Sequence, residues 1–222
     1  MMKTAKYLFL LLFLPVGLKS QDCPKYYPLN TGEEMEIWNY NNKKKLESKS
    51  HMVVLEGDGQ SAEILSTIYN PKDEVQAELQ FEVRCTDDGM LVDIASMAGP
   101  GTVSQYEGME VDVTGDKLTL PAHAKPGDKL DEGKMTIKIL ADGVPLMTME
   151  YYITDRKVES IEDVTCDLGT FSCIKISYTM EFRGILSTSM KVEEWYSPEI
   201  GYVKQATYNK KGKLQGYSLR HK

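Results

Sequence analysis

Histidine is scarce in this 222-residue chain: only His51, His123 and His221 occur, and no pair of them has the spacing that metal ligands need. Other chemical signatures are missing too. There is no Gly-x-Ser-x-Gly nucleophile elbow, no phosphate loop and no dinucleotide fingerprint. Ser172-Cys173-Ile174-Lys175 matches the spelling Ser-x-x-Lys, but that chemistry needs both side chains on one face, and a strand turns positions 172 and 175 to opposite faces. The paired acids Glu33-Glu34 and Glu193-Glu194 are adjacent and diverge in the same way, as solvated edges do; a glycosidase needs two carboxyls about 5 to 10 Å apart across a cleft. These absences argue for a chain that is not an enzyme, with no catalytic residue, no metal and no cofactor.

Long apolar runs are also rare. Leu8–Leu14 is the one unbroken stretch, preceded by Lys3 and Lys6 and ended by Pro15 and Gly17. It is too short to span a bilayer core of about 30 Å and has the layout of a secretory signal, with Ser20 suited to cleavage before Gln21. Residues 1–20 are therefore read as a signal peptide and 21–222 as a single exported domain with no membrane span, periplasmic or secreted. Lipoprotein processing fits poorly, because Gln21 and Asp22, not small residues, precede Cys23. The full chain carries a formal charge of −7, and loss of Lys3, Lys6 and Lys19 makes the exported part more acidic, which disfavours nucleic acid as a partner.

Four cysteines in an oxidising compartment imply disulfides. Three pairings exist. Asp167-Leu168-Gly169-Thr170 reads as a turn, which favours Cys166 with Cys173 and leaves Cys23 for Cys85. No Cys-x-x-Cys occurs, which removes the redox motif and the usual zinc ribbon.

What the chain has is period two. From Val75 to Cys85 every odd position is apolar and every even one polar; Met109 to Thr114 and Met135 to Ile139 alternate likewise, and Ile174, Ile176, Tyr178, Met180 and Phe182 share one face of a further segment. Turn signals separate these runs: Gly57-Asp58-Gly59, Asn70-Pro71, Asp87-Asp88-Gly89, Gly115-Asp116, Asp142-Gly143, Asp155-Arg156, Arg183-Gly184 and Lys211-Gly212. About a dozen strands joined by hairpins must curl, close or split into layers to bury one face. The fold class is all-β, mainly antiparallel, with a short helical piece expected within Gly101–Gly108 and a polar crossover over 121–133. Tyr40-Asn-Asn-Lys-Lys-Lys-Leu46 and Tyr208-Asn-Lys-Lys-Gly-Lys-Leu214 are alike, and are read as two basic turns of one kind in preference to a duplicated half-domain.

Thirteen tyrosines and 12 methionines serve first as core and cross-strand packing, and second as a lining for a cavity that takes a lipid or another apolar ligand.

Several motifs together resemble a family: Asp22-Cys23-Pro24 with Tyr27 and Gly32; Phe81-Glu-Val-Arg-Cys85; Leu120-Pro121 with Pro126-Gly127-Asp128-Lys129-Leu130; Gly169-Thr170-Phe171-Ser172-Cys173; and Trp195-Tyr196-Ser197-Pro198-Glu199-Ile200-Gly201-Tyr202-Val203-Lys204. Over nearly the whole exported part the chain is similar to the TapB-like uncharacterised exported proteins of Gram-negative bacteria. The resemblance implies a strongly curved antiparallel meander, a half-barrel similar to periplasmic lipoprotein carriers, and supplies no activity. Two functions compete: a non-catalytic envelope protein that binds an apolar or amphipathic ligand in its curved sheet, and an adaptor that docks an envelope protein through a sheet edge or its outer face.

Overall fold

In the computed structural model of the protein, which describes residues 23–97, 109–183 and 187–222, the alternating segments become strands of one sheet. In chain order they are β1 (Glu34–Asn41), β2 (Leu46–Gly57), β3 (Ser61–Tyr69), β4 (Val75–Thr86), β5 (Gly89–Asp93), β6 (Glu110–Gly115), β7 (Lys117–Pro121), β8 (Gly133–Ala141), β9 (Val144–Cys166), β10 (Gly169–Arg183), β11 (Thr188–Ser197), β12 (Gly201–Asn209) and β13 (Leu214–Arg220). A 3-10 turn, Ile94–Met97, follows β5. The signal segment with Ser20 and Gln21, and the helical piece expected in 101–108, lie outside the described residues.

Antiparallel pairing gives the spatial order β6-β8-β9-β10-β11-β12-β13-β1-β2-β3-β4-β5-β7. Most neighbours are hairpins, and β1 against β13 joins the two ends of the chain. The two edge strands, β6 and β7, are separated in sequence only by Asp116, so the sheet curls until its first and last strands meet at one corner. Gly115-Asp116 is thus the joint between the two edges and not the hairpin expected from its turn chemistry. The result is a nearly closed barrel, more complete than a half-barrel.

Beyond that corner the seam is closed by side chains. Arg156 Nη1 on β9 donates to the Thr119 carbonyl of β7 at 2.9 Å, and the Tyr26 hydroxyl donates to the Pro121 carbonyl at 3.0 Å. An edge strand exposes unpaired carbonyls, and these two donors occupy them. Residues 127–130 lie along β9, with Leu130 N donating to Arg156 O and Val158 N to Asp128 O. Asp155-Arg156, expected as a turn, lies inside the continuous strand β9. Asp155 takes a positive φ of 54° and its N–H donates to Glu132 Oε1 at 2.9 Å, while the register with β10 shifts nearby, between Ser177 and Thr179. The feature is a bulge that lets a long strand bend around the barrel.

Inward-facing residues form the main core, including Met35, Ile64, Met90, Ile94, Leu118, Met135, Ile137 and Ile176, all buried. Tyr26, Tyr27 and Leu29 of the N-terminal segment plug one end. That plug needs Gly201, with φ at 86°, because a Cβ there would stand 2.5 Å from the Tyr26 carbonyl. A smaller cluster of Val164, Cys166, Cys173, Trp195, Val203 and Ala206 lies on the opposite face of β9 to β12.

Cys23 and Cys85 form a disulfide that ties the plug to β4. Cys166 and Cys173 are free and buried, against the expected pairing. The turn at Asp167-Leu168 is so tight that Cys166 lies opposite Gly169 and Cys173 opposite Glu162. The two cysteines stand four rungs apart, roughly 13 Å along the strands, where a disulfide needs Cα atoms within about 7 Å.

Candidate functional site: a polar row in a channel inside the sheet

Most of the concave face is filled by the chain's own side chains. A channel remains beside β11 to β3. Its deep stretch has room of about 70 Å³ and its outer stretch about 450 Å³, and Asn39, Met97, Gln205 and Ser218 line both. The outer stretch reaches the surface beside Glu47. Ligand sites commonly fall near 300 to 1,000 Å³, a range that the outer stretch reaches and the narrow deep stretch does not. Its walls are apolar: Ile37, Met52, Ile68, Leu79 and Phe81 in the deep part, and Tyr151, Met180, Met190 and Val192 further out.

Between these walls runs a polar row set by strand register. Glu194 of β11 lies opposite Gln205 of β12, Gln205 opposite Ser218 of β13, Ser218 opposite Asn39 of β1, and Asn39 opposite Ser48 of β2. Directly opposed residues share a face, so five strands contribute one side chain each to a continuous transverse stripe.

Glu194 anchors the row and is only 2% exposed. Its Oε1 accepts from the Tyr178 hydroxyl at 3.0 Å and from Gln205 Nε2 at 2.9 Å, and its Oε2 from the Tyr196 hydroxyl at 3.1 Å. Burial pushes its carboxyl above the usual range, against the pull of Gln205, Tyr178 and the Arg156 charge. Burial, reinforced by the Glu194 charge, also holds the phenols of Tyr178 and Tyr196 well above theirs. Further along, the Tyr202 and Ser218 hydroxyls share a hydrogen bond, and Asn39 Nδ2 reaches Ser50 Oγ at 3.4 Å. The last member, Ser48, is 3% exposed and its hydroxyl has no hydrogen-bond partner among the described residues. A buried hydroxyl without a protein partner costs on the order of 1 to 3 kcal/mol unless water or a ligand completes it.

Arg156 is also 2% exposed, with Nε and Nη2 buried and unpartnered. It feels the charge of Glu194 but forms no direct ion pair with it. Its position at the seam, with one nitrogen on Thr119, makes it part of the closure and not of the channel lining.

A model of the DUF3108-like family matches residues 30–219. The chain belongs to the DUF3108-like family. Among solved structures, this DUF3108-like protein is similar to a protein from Bacteroides fragilis assigned to export and described as having a YmcC-like fold: 24% identity, TM-score 0.78, covering 89% of this chain and 98% of that one. It is also similar to a protein from Parabacteroides distasonis assigned as a lipoprotein, with 26% identity, TM-score 0.80 and coverage of 90% and 98%. Comparison with curated proteins gives no match.

The histidines of the DUF3108-like chain do not converge on the channel. His51 and His221 flank β1 on the outer face; His51 stands 3.5 Å from Glu34, while His221 stacks on Trp38 at 3.8 Å and contacts Asp167. His123 stands apart in the loop after β7. Among the described residues no group of three or more His, Cys, Asp or Glu converges as a metal site. Cys23 is engaged in the disulfide with Cys85. Of the paired acids, Glu193 turns outward to Lys175 and Lys191, both at 2.9 Å, while Glu194 turns inward. Sequence reasoning treated the pair as a solvated edge and missed Glu194. The signal was parity: Met190, Val192 and Tyr196, two apart in series with Glu194, mark the buried face.

Proposed function

We propose that this DUF3108-like protein is a non-catalytic envelope protein that holds an amphipathic ligand in the channel inside its sheet. The observation that carries the reading is the polar row between apolar walls, ending in the buried Ser48 hydroxyl, which has no partner among the described residues. Apolar walls with a few placed polar groups are the usual lining of a ligand site. The relatives described as exported protein and lipoprotein, and the motif resemblance to TapB-like exported proteins, support a periplasmic or secreted setting after removal of the signal segment.

The methionines provide the test. Met52, Met97, Met180 and Met190 line the channel, whereas Met109 and Met147 lie elsewhere and are exposed. Methyl-labelled protein titrated with a dodecyl-chain amphiphile below its micellar concentration is expected to show shifts in the first group. Shifts confined to Met109 and Met147 contradict the reading.

One observation favours the adaptor alternative. Val144 and Leu146, at the tip of the β8–β9 hairpin, are each 61% exposed beside Met147. Crosslinking in intact cells from a reactive group at position 144 that captures an envelope protein, in the absence of any amphiphile binding, moves the assignment to docking.

A further inference from the structure

Resting on the carrier reading above, we infer that the channel selects an amphiphile whose head group is uncharged and rich in hydroxyls, of the sugar type, and that it rejects anionic heads of the phosphate or carboxylate type. The first argument is charge. Among the described residues the acids lining the two stretches are Glu194 and Glu47, and no Lys or Arg lines either. A phosphate or carboxylate head would enter a partly buried space beside acidic side chains with no compensating cation among the described residues, which is unfavourable.

Hydrogen-bonding capacity supplies the second argument. Asn39, Ser48, Gln205 and Ser218 are neutral groups that donate and accept, which matches hydroxyls, each itself a donor and an acceptor. Within this set Ser48, buried beside the outer stretch, supplies a further neutral hydroxyl. Geometry is the third argument. Five directly opposed residues on strands spaced about 4.8 Å apart span roughly 19 Å. A stripe of that length suits a head with several hydroxyls in series. The apolar flank from Met180 and Met190 gives an alkyl chain its surface.

The test compares two probes with the same chain, dodecyl maltoside and dodecyl phosphate, each below its micellar concentration, by calorimetry on the full exported protein. The expected result is at least ten-fold tighter binding of the maltoside. In Asn39→Leu/Ser48→Ala, which removes two members of the row while leaving the Glu194 cluster intact, that preference is expected to collapse toward one, with alkyl-chain binding retained. Because a variant can fail by misfolding, Thr207→Trp provides a second readout: the indole fills the gap over the facing Gly216 at the channel's outer stretch and is expected to abolish binding of both probes with an unchanged far-ultraviolet spectrum. Equal or tighter binding of the phosphate, or a maltoside preference untouched by Asn39→Leu/Ser48→Ala, overturns the head-group inference and leaves the carrier reading standing. If neither probe binds and the channel methionine methyls stay unmoved by both, the carrier reading and this inference fall together.

Discussion

Replacing Glu194 by leucine tests whether the buried acid organises the polar row. The substitution leaves three donors without their acceptor: the Tyr178 and Tyr196 hydroxyls, both fully buried, and the Gln205 amide, which is half-buried. Each stranded buried donor costs about 1 to 3 kcal/mol, discounted for Gln205 because it can reach water, and removal of a desolvated carboxyl offsets part of the loss. The expected destabilisation is about 3 to 5 kcal/mol. Glu194→Gln keeps an acceptor oxygen of the same shape and is expected to cost only about 1 kcal/mol. Equilibrium urea unfolding followed by tryptophan fluorescence measures both. The pH dependence has a definite sign. Burial raises the Glu194 pKa above its ordinary 4.5, so the folded state holds this proton more tightly than the unfolded chain does. Its stabilising contribution is therefore complete below pH 4.5 and is lost as pH rises through the folded pKa. Relative to Glu194→Gln, the native protein should lose ground as pH increases above 4.5. A leucine variant that loses less than about 1 kcal/mol, or a native-minus-glutamine difference that is flat with pH, refutes the reasoning.

Loss of the Cys23–Cys85 bridge, which closes a loop with a sequence separation of 62, is expected to cost about 4 kcal/mol on chain-entropy grounds, measured as the shift in unfolding midpoint of Cys23→Ser/Cys85→Ser. In the native protein Cys166 and Cys173 should resist alkylation until denaturant is added, since both are buried and burial pushes the Cys173 thiol up to about 12; rapid native labelling contradicts this. Arg156→Met removes a buried cation with two unpaired nitrogens, so global stability should change by no more than about 2 kcal/mol. Hydrogen exchange across Lys117–Pro121 should nevertheless rise, because Thr119 loses its seam contact. Gly201→Ala places a methyl against the Tyr26 carbonyl in a left-handed backbone and should cost roughly 2 to 4 kcal/mol, with loss of the near-ultraviolet signal of the Tyr26–Tyr196 contact.

Much of the architecture is legible in the sequence because it is local. Asn41, Asn70 and Asn209 each accept two backbone N–H groups with the side-chain oxygen, and the third residue after each, Lys44, Asp73 and Gly212, takes a positive φ. The same turn chemistry used three times explains why the stretches at 40–46 and 208–214 look alike without duplication. Alternation likewise specifies which residues of β4, β8 and β10 face inward. The pairing of β1 with β13 and the meeting of the two edges at Asp116 depend on contacts across the whole chain, which no local pattern encodes.

The channel was less legible for a physical reason. Its polar row is transverse, with one residue from each of five strands and hairpin neighbours separated by about ten positions, so no run of consecutive or alternating residues displays it. Asp155-Arg156 carries the composition of a turn, yet Glu132 captures the Asp155 N–H and the strand continues as a bulge. The expected Cys23–Cys85 bridge is present, whereas the Cys166–Cys173 pairing fails on register, since a turn closing at Cys166 and Gly169 separates two residues that look adjacent.

The central claim is that the inner channel carries an amphiphile. Its most direct test is solvent extraction and mass spectrometry of the protein purified without detergent from the cells that make it, alongside Thr207→Trp treated identically. The account predicts a near-stoichiometric amphiphile in the native protein and its loss from the variant. An empty native protein, or the same lipids in equal amount from both, contradicts it.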